Sequence, residues 1–200
     1  MNPIPLNLVF EDQISEFIMI KLAEKAEKFF ISNSYSEGGF GYIKKNIAGF
    51  NEAARGCPFF VLTDLDYLEC APSLIGDWIK QPIHANLIFR IAVHEVEAWV
   101  LADIEGFSKY TGISRANFKN NPEEILDPKA ELLRLIKRCR NRKIREDILP
   151  KDEYATIGPN YNGRLGEFII HHWSISRAMK RSDSLKRAMQ NLLDFNITYN

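Results

Sequence analysis

The chain has little cysteine. Cys57, Cys70 and Cys139 are an odd number in 200 residues, and no two of them form a Cys-x-x-Cys pair. That excludes a disulfide framework or a cysteine zinc site, and it fits free or buried thiols in a reducing cytoplasm. No apolar run approaches the ~20 residues a membrane helix needs, so no membrane partner is expected. Met1-Asn2-Pro3-Ile4-Pro5 lacks a basic segment leading into an apolar one, so no secretion signal is expected. Gly38-Gly39-Phe40-Gly41 lacks the Lys-Ser/Thr of a phosphate-binding P-loop. His84, His94, His171 and His172 show no metalloprotease spacing, and His94 reads as a packed histidine. Net charge is also missing, since 26 Lys+Arg balance 26 Asp+Glu. Taken alone, that balance argues against a nucleic-acid partner. What is present is 46% hydrophobic and 12% aromatic residues, ample for one compact, ordered domain.

Position changes the meaning of the charge. Residues 1–105 hold 8 basic and 15 acidic residues, a net of −7, and residues 106–200 hold 18 and 11, a net of +7. Such asymmetry suggests an anionic partner, a metal site, or both. Seven cations fall between Arg134 and Arg145 with no acid among them. A solvated helical face usually interleaves Glu with Lys, and this stretch does not. The acidic features are short: Glu11-Asp12, Asp64-Leu65-Asp66 and Glu95-Val96-Glu97.

Each acidic pair follows an apolar run of strand length. Strands are predicted at Ile4–Phe10, Pro58–Thr63 and Ala85–Val93. Helices are predicted from a Ser15 cap to Phe30, over 42–55, from Pro72 to Lys80, and from Glu97 onward. Alternating strands and helices indicate an α/β fold with a parallel sheet flanked by helices. Beyond residue 105 no strand is predicted. Helices start at Asp127-Pro128, running to about Arg140, and at Ser182-Asp183, running through Asp194. Gly158-Pro-Asn-Tyr-Asn-Gly163 between them reads as a turn-rich loop. The expected organisation is an α/β core over 1–105 with a mainly helical extension over 106–200 packed on it. Trp78, Trp99 and Trp173 lie in helical patterns and are expected in the core.

Ligands of an open parallel sheet bind beyond the carboxyl ends of its strands. Carboxylates at three such ends repel one another, and a cation relieves the repulsion. Hard oxygen donors suit Mg²⁺ or Mn²⁺. The candidate donors at the three strand ends are Glu11 and Asp12, Asp64 and Asp66, and Glu95 and Glu97. The cations Arg138, Arg140, Arg142, Lys143 and Arg145 are candidates for holding a phosphate backbone, which gives affinity without sequence reading.

Glu11 after the first strand and Asp64-Leu65-Asp66 after a later one resemble the pattern of Toprim domains, the Mg²⁺-dependent modules of topoisomerases, primases and the overcoming-lysogenisation-defect nucleases. The chain is similar to small, stand-alone Toprim-like proteins, on Arg90-Ile-Ala-Val-His-Glu-Val-Glu-Ala-Trp-Val-Leu-Ala-Asp103 and Gly158-Pro-Asn-Tyr-Asn162 as well. The nuclease branch adds an acid after the first Glu, a further Glu and a downstream Lys, and Glu16, Glu97 and Lys129 match these. The resemblance implies a Toprim-like sheet, Mg²⁺ or Mn²⁺, nucleic acid (DNA first) and phosphodiester cleavage, with Glu11 as catalytic base and Lys129 as charge stabiliser. It also implies a separately encoded ABC-like ATPase of the overcoming-lysogenisation-defect type and a role in phage defence, and it leaves homo-oligomerisation open. Two departures stand. Asp12 replaces the usual Gly, and the Glu11–Glu16 spacing is one residue longer, so the first acid is Glu11, Asp12 or Glu16. A haloacid-dehalogenase-type phosphatase is disfavoured by Leu68 and by the position of Asp64 on a later strand. The remaining alternative is a non-catalytic Toprim-like subunit of a partner ATPase.

Overall fold

The computed structural model describes residues 2–66, 68 and 70–198. Among them the chain forms β1 (Ile4–Val9), α1 (Gln13–Ala26), β2 (Phe29–Tyr35), α2 (Gly39–Ala53), β3 (Phe59–Asp64), α3 (Ala71–Trp78) and β4 (Leu87–Ala92). Seven helices follow: α4 (Glu97–Ala102), α5 (Ile104–Thr111), α6 (Pro128–Ile136), α7 (Arg142–Ile148), α8 (Tyr161–His171), α9 (Ile175–Ala178) and α10 (Asp183–Asp194). The architecture is a parallel sheet flanked by helices, followed by a largely helical half, as in Toprim-like α/β proteins. The chain divides into two compact units, Met1–Val93 with Lys186–Asn200, and His94–Leu185.

In the first unit the strands run parallel in the order β2-β1-β3-β4. Alternation along each strand sends successive side chains to opposite faces. Val9, Phe59, Val61, Phe89 and Ile91 pack with Ile43 and Ile47 of α2 and Leu74 and Trp78 of α3. Leu8, Phe60 and Leu62 point the other way and are equally buried, with Ile14, Ile18 and Leu22 of α1 also inside. Burial on both faces explains why β3 is a continuous apolar run rather than an alternating one.

The sheet has one strand more than the sequence predicts. A helix was expected to run to Phe30, but α1 stops at Ala26, where Glu27 turns left-handed (φ 58°). Phe29-Phe30-Ile31 then enters β2, an edge strand whose Ser32-Asn33-Ser34 portion is largely exposed. Polar residues on a half-exposed edge erase the hydrophobic signal of a strand. The cap of α1 also differs from the Ser15 expectation. The Asp12 side chain accepts the Ser15 backbone N–H at 2.8 Å, so Ser15 lies inside the first turn.

The second unit is helical apart from loops and two 3-10 turns, at 115–117 and 122–124. Every residue of α4 is buried, as expected of a helix apolar around most of its circumference. Trp99 is fully enclosed, its ring N–H reaching Ser184 Oγ at 2.6 Å, and Trp173 donates to the Trp99 carbonyl at 3.1 Å. The helix predicted to continue to Arg140 ends at Ile136. Asn141 then caps α7, splitting the basic stretch between a turn and a second helix. The turn-rich loop predicted over Gly158–Gly163 ends at Asn160, and α8 begins at Tyr161. Gly163 and Gly166 dilute its helical pattern. No helix among the described residues is long and apolar enough to cross a membrane.

Because Asp12 satisfies an otherwise unpaired helix N–H, Asp12→Ala is expected to destabilise the protein by about 1 kcal/mol while Asp12→Ser loses little. Urea unfolding of the three proteins measures the difference.

Candidate functional site

Two groups of the expected residues assemble, one in each unit. In the first, β1 and β3 are parallel neighbours with Val9 opposite Val61. This register brings Glu11, two residues beyond β1, to the end of β3. There Glu11 Oε1 accepts the Thr63 hydroxyl and, at 2.9 Å, the Asp64 backbone N–H. Burial pushes the Glu11 carboxyl above its ordinary 4.5; the Thr63 and Asp64 hydrogen bonds oppose this, and the charges of Asp66 and Asp12 add to it. Asp66 itself sits in the left-handed region at φ 50°, a conformation Asp tolerates better than most residues.

This placement separates the three acids that compete for the first position. Asp12 is the cap of α1, and Glu16 lies half-buried in the first turn of that helix. Glu11 alone of the three is joined by hydrogen bonds to the end of β3.

As a test of fit for a divalent cation, the donor chemistry of Glu11, Asp64 and Asp66 is right. All offer hard carboxylate oxygens, and like charge already raises the cost of ionising Glu11. Among the described residues no group of three or more His, Cys, Asp or Glu is arranged as a ready-made cage. Mg²⁺ does not demand one, because it is commonly held by one or two carboxylates together with waters and substrate phosphate.

In the second unit Glu95, Glu97 and Lys129 come together. Glu97, at the start of α4, is 0% exposed. Its Oε1 accepts the Tyr161 hydroxyl at 2.9 Å and lies 3.5 Å from Lys129 Nζ. The same ammonium is 3.6 Å from Glu95 Oε1, while Glu95 Oε2 accepts the Lys129 backbone N–H at 2.8 Å. Lys129 is thus fixed at both ends, in the first turn of α6, which Asp127 caps. A carboxylate buried to this degree needs such partners. Tyr161 reaches Glu97 because of the loop before it. Gly158 packs so tightly on the Asp147 and Ile148 backbone that a Cβ would collide with it, and Gly158 N–H bonds Ile148 O at 2.8 Å.

The predicted phosphate-binding cations are only partly committed to neighbours. Arg138 donates to Asn117 Oδ1 at 2.8 Å, Arg142 pairs with Glu146 at 2.6 Å, and half-buried Arg145 donates to the Cys139 carbonyl at 3.1 Å. Arg140 and Lys143 are exposed. His94 sits just beyond β4 in the left-handed region at φ 60°.

Sequence reasoning named neither Thr63 nor Tyr161 as a site residue. A polar Thr ending an otherwise apolar strand directly before Asp64 was the available signal for the first. Tyr161 fell in a segment noted only as a motif, where its side-chain direction was not legible.

The chain matches, over residues 11–193, a family described as a domain of unknown function, DUF4276. No curated protein and no solved structure matches it.

Two outcomes follow from this geometry. A carboxyl raised in the folded state binds its proton more tightly there than in the unfolded chain. Stability is therefore lost as pH rises from the ordinary value of 4.5 through the folded one. In metal-free buffer Glu11→Gln is expected to unfold at higher urea than the wild type at pH 7, with the gap closing as pH falls toward 4.5. Tyr161→Phe removes a buried hydrogen bond to a carboxylate and is expected to cost about 1.5–3 kcal/mol, read by urea unfolding at pH 7.

Proposed function

The chain belongs to the DUF4276 family, and for this member, from the geometry of its strand-end acids, we propose a Mg²⁺- or Mn²⁺-dependent Toprim-type phosphodiesterase acting on nucleic acid, with DNA as the first substrate to test. The observation that carries the proposal is the half-buried Glu11 carboxylate, oriented by Thr63 and the Asp64 N–H at the carboxyl end of the sheet and facing like charge.

Glu11, Asp64 and Asp66 would hold the cation, with Glu16 in reserve on α1. A bound divalent ion supplies Lewis acidity at phosphoryl oxygen and acidifies water. The chain's own contributions are distinct from that. Thr63 and the Asp64 N–H fix one oxygen of Glu11, and its raised proton affinity suits a general base toward the attacking water. Lys129 offers a fixed, partly exposed ammonium that can stabilise developing negative charge. Glu95, Glu97 and Tyr161 hold it in place, and so act as positioning residues. Arg138, Arg140, Arg142, Lys143 and Arg145 offer charge to the phosphate backbone, a contact that weakens with salt. Through the Toprim resemblance the reading extends to a separately encoded ABC-like ATPase partner and a role in phage defence, in a cytoplasmic setting, with the chain acting alone or as a homo-oligomer.

One observation favours a second reading, a non-catalytic subunit of such an ATPase. Glu95 and Glu97 already have an internal cation in Lys129 and have no need of an external one.

Relaxation of supercoiled plasmid separates the two. The wild type with Mg²⁺ or Mn²⁺ is expected to nick, EDTA to abolish nicking, and Glu11→Gln and Asp64→Ala/Asp66→Ala to slow it by about 10²-fold or more. Equal inertness of the wild type and these variants, with and without a co-purifying ATPase, overturns the nuclease reading and leaves the binding subunit.

A further inference from the structure

A cavity of about 760 Å³ lies within the second unit, and none of Glu95, Glu97, Lys129 and Tyr161 lines it. Its size falls in the usual range for small-ligand sites, about 300–1,000 Å³. Its walls come from α5, the turn after it, the end of α8 and α9, so helices rather than long loops frame it.

The charges that line it do not cancel. Glu105 faces the cavity, but both its oxygens accept from Arg181, at 2.9 and 3.1 Å, and that pairing lowers its pKa. Arg177 also lines it and is matched by the fully buried Asp103 at 2.6 and 2.8 Å. Outside these two ion pairs stand Lys109 and Arg115, both exposed and both lining the cavity. The set therefore has two cations in excess before His171 and His172 are considered.

The same cavity has an aromatic wall. The Tyr110 and His172 rings lie 5.2 Å apart at 35°. Tyr110 is held by its hydroxyl, which bonds the Arg164 carbonyl and Glu167 Oε2, each at 3.2 Å. A tyrosine ring held by its hydroxyl, with a histidine ring beside it and exposed cations on the same cavity, suits a ligand with one flat ring and one phosphate.

We propose that this cavity binds a free nucleoside monophosphate, with the phosphate toward Lys109 and Arg115 and the base against Tyr110 and His172. No strand-end carboxylate is among the residues that line it, and the proposal does not depend on the nuclease reading.

Calorimetric titration of the full chain tests it, with AMP, GMP, CMP and UMP as probes and adenosine, inorganic phosphate and a short single-stranded DNA as comparisons. At least one monophosphate is expected to bind saturably, one per chain. Lys109→Ala or Arg115→Ala should weaken it at least tenfold, and the double variant more. Glu11→Gln should leave it unchanged, so failure here and failure of the nicking assay are distinguishable. Adenosine and phosphate alone should bind at least tenfold more weakly than the best monophosphate. The proposal is overturned by three results: no saturable binding at millimolar ligand, equal affinity in a double variant whose thermal melt matches the wild type, or binding of the DNA strand but of no monophosphate. Both substituted residues are exposed, so folding of the variants is not at issue.

Discussion

A carboxylate removed from water must be matched by donors, and the second unit is built around that demand at Glu97. α4 is buried along its whole length, so its polar ends cannot be left to solvent. At one end Glu97 meets Tyr161 and Lys129. At the other, the equally buried Asp103 accepts from Gly106 N–H, Ser174 N–H and both arms of Arg177. The helices that supply these donors, α6, α8 and α9, are thereby tied to α4. Each pair joins a fully buried carboxylate to a partly exposed cation, so losing the cation leaves a buried charge unmatched, which is costly. They therefore select one packing of short helices among many.

The first unit treats its carboxylate differently. The charge of Glu11 is set against Asp66 and Asp12, with neutral donors from Thr63 and the backbone, whereas that of Glu97 is set against an ammonium. A site compensated internally favours permanence. One with like charges in proximity favours an external cation or a proton, and this contrast is the physical basis for assigning different roles to acids that look alike in sequence.

β1, β3 and β4, with their continuous apolar runs, and α1, with its helical spacing, were legible from the residues, as were α2, α3, α4, α6 and α10, whereas the short helices α5, α7 and α9 were not. β2 was not, because an edge strand carrying Ser-Asn-Ser has almost no alternation to read. α8 was obscured by two glycines. Of the site, the strand-end carboxylates were visible because apolar runs ended in acids, and the parallel register then joined Glu11 to Thr63 and Asp64. The role of Asp12 was not legible, since capping depends on which residue first turns out of the extended conformation. The partnership of Tyr161 with Glu97 spans 64 positions and depends on a tight glycine approach that no local pattern encodes.

Asp66 and His94, each within two residues of a strand's end, adopt the left-handed backbone conformation without being glycine. Such residues carry a conformational penalty that the surrounding contacts must outweigh. Glycine at either position would relieve the penalty in the folded state but widen the conformational range of the unfolded one. Aspartate and histidine at these two strand exits therefore hold their side chains in place at some cost in backbone comfort, as Glu27 does where α1 ends.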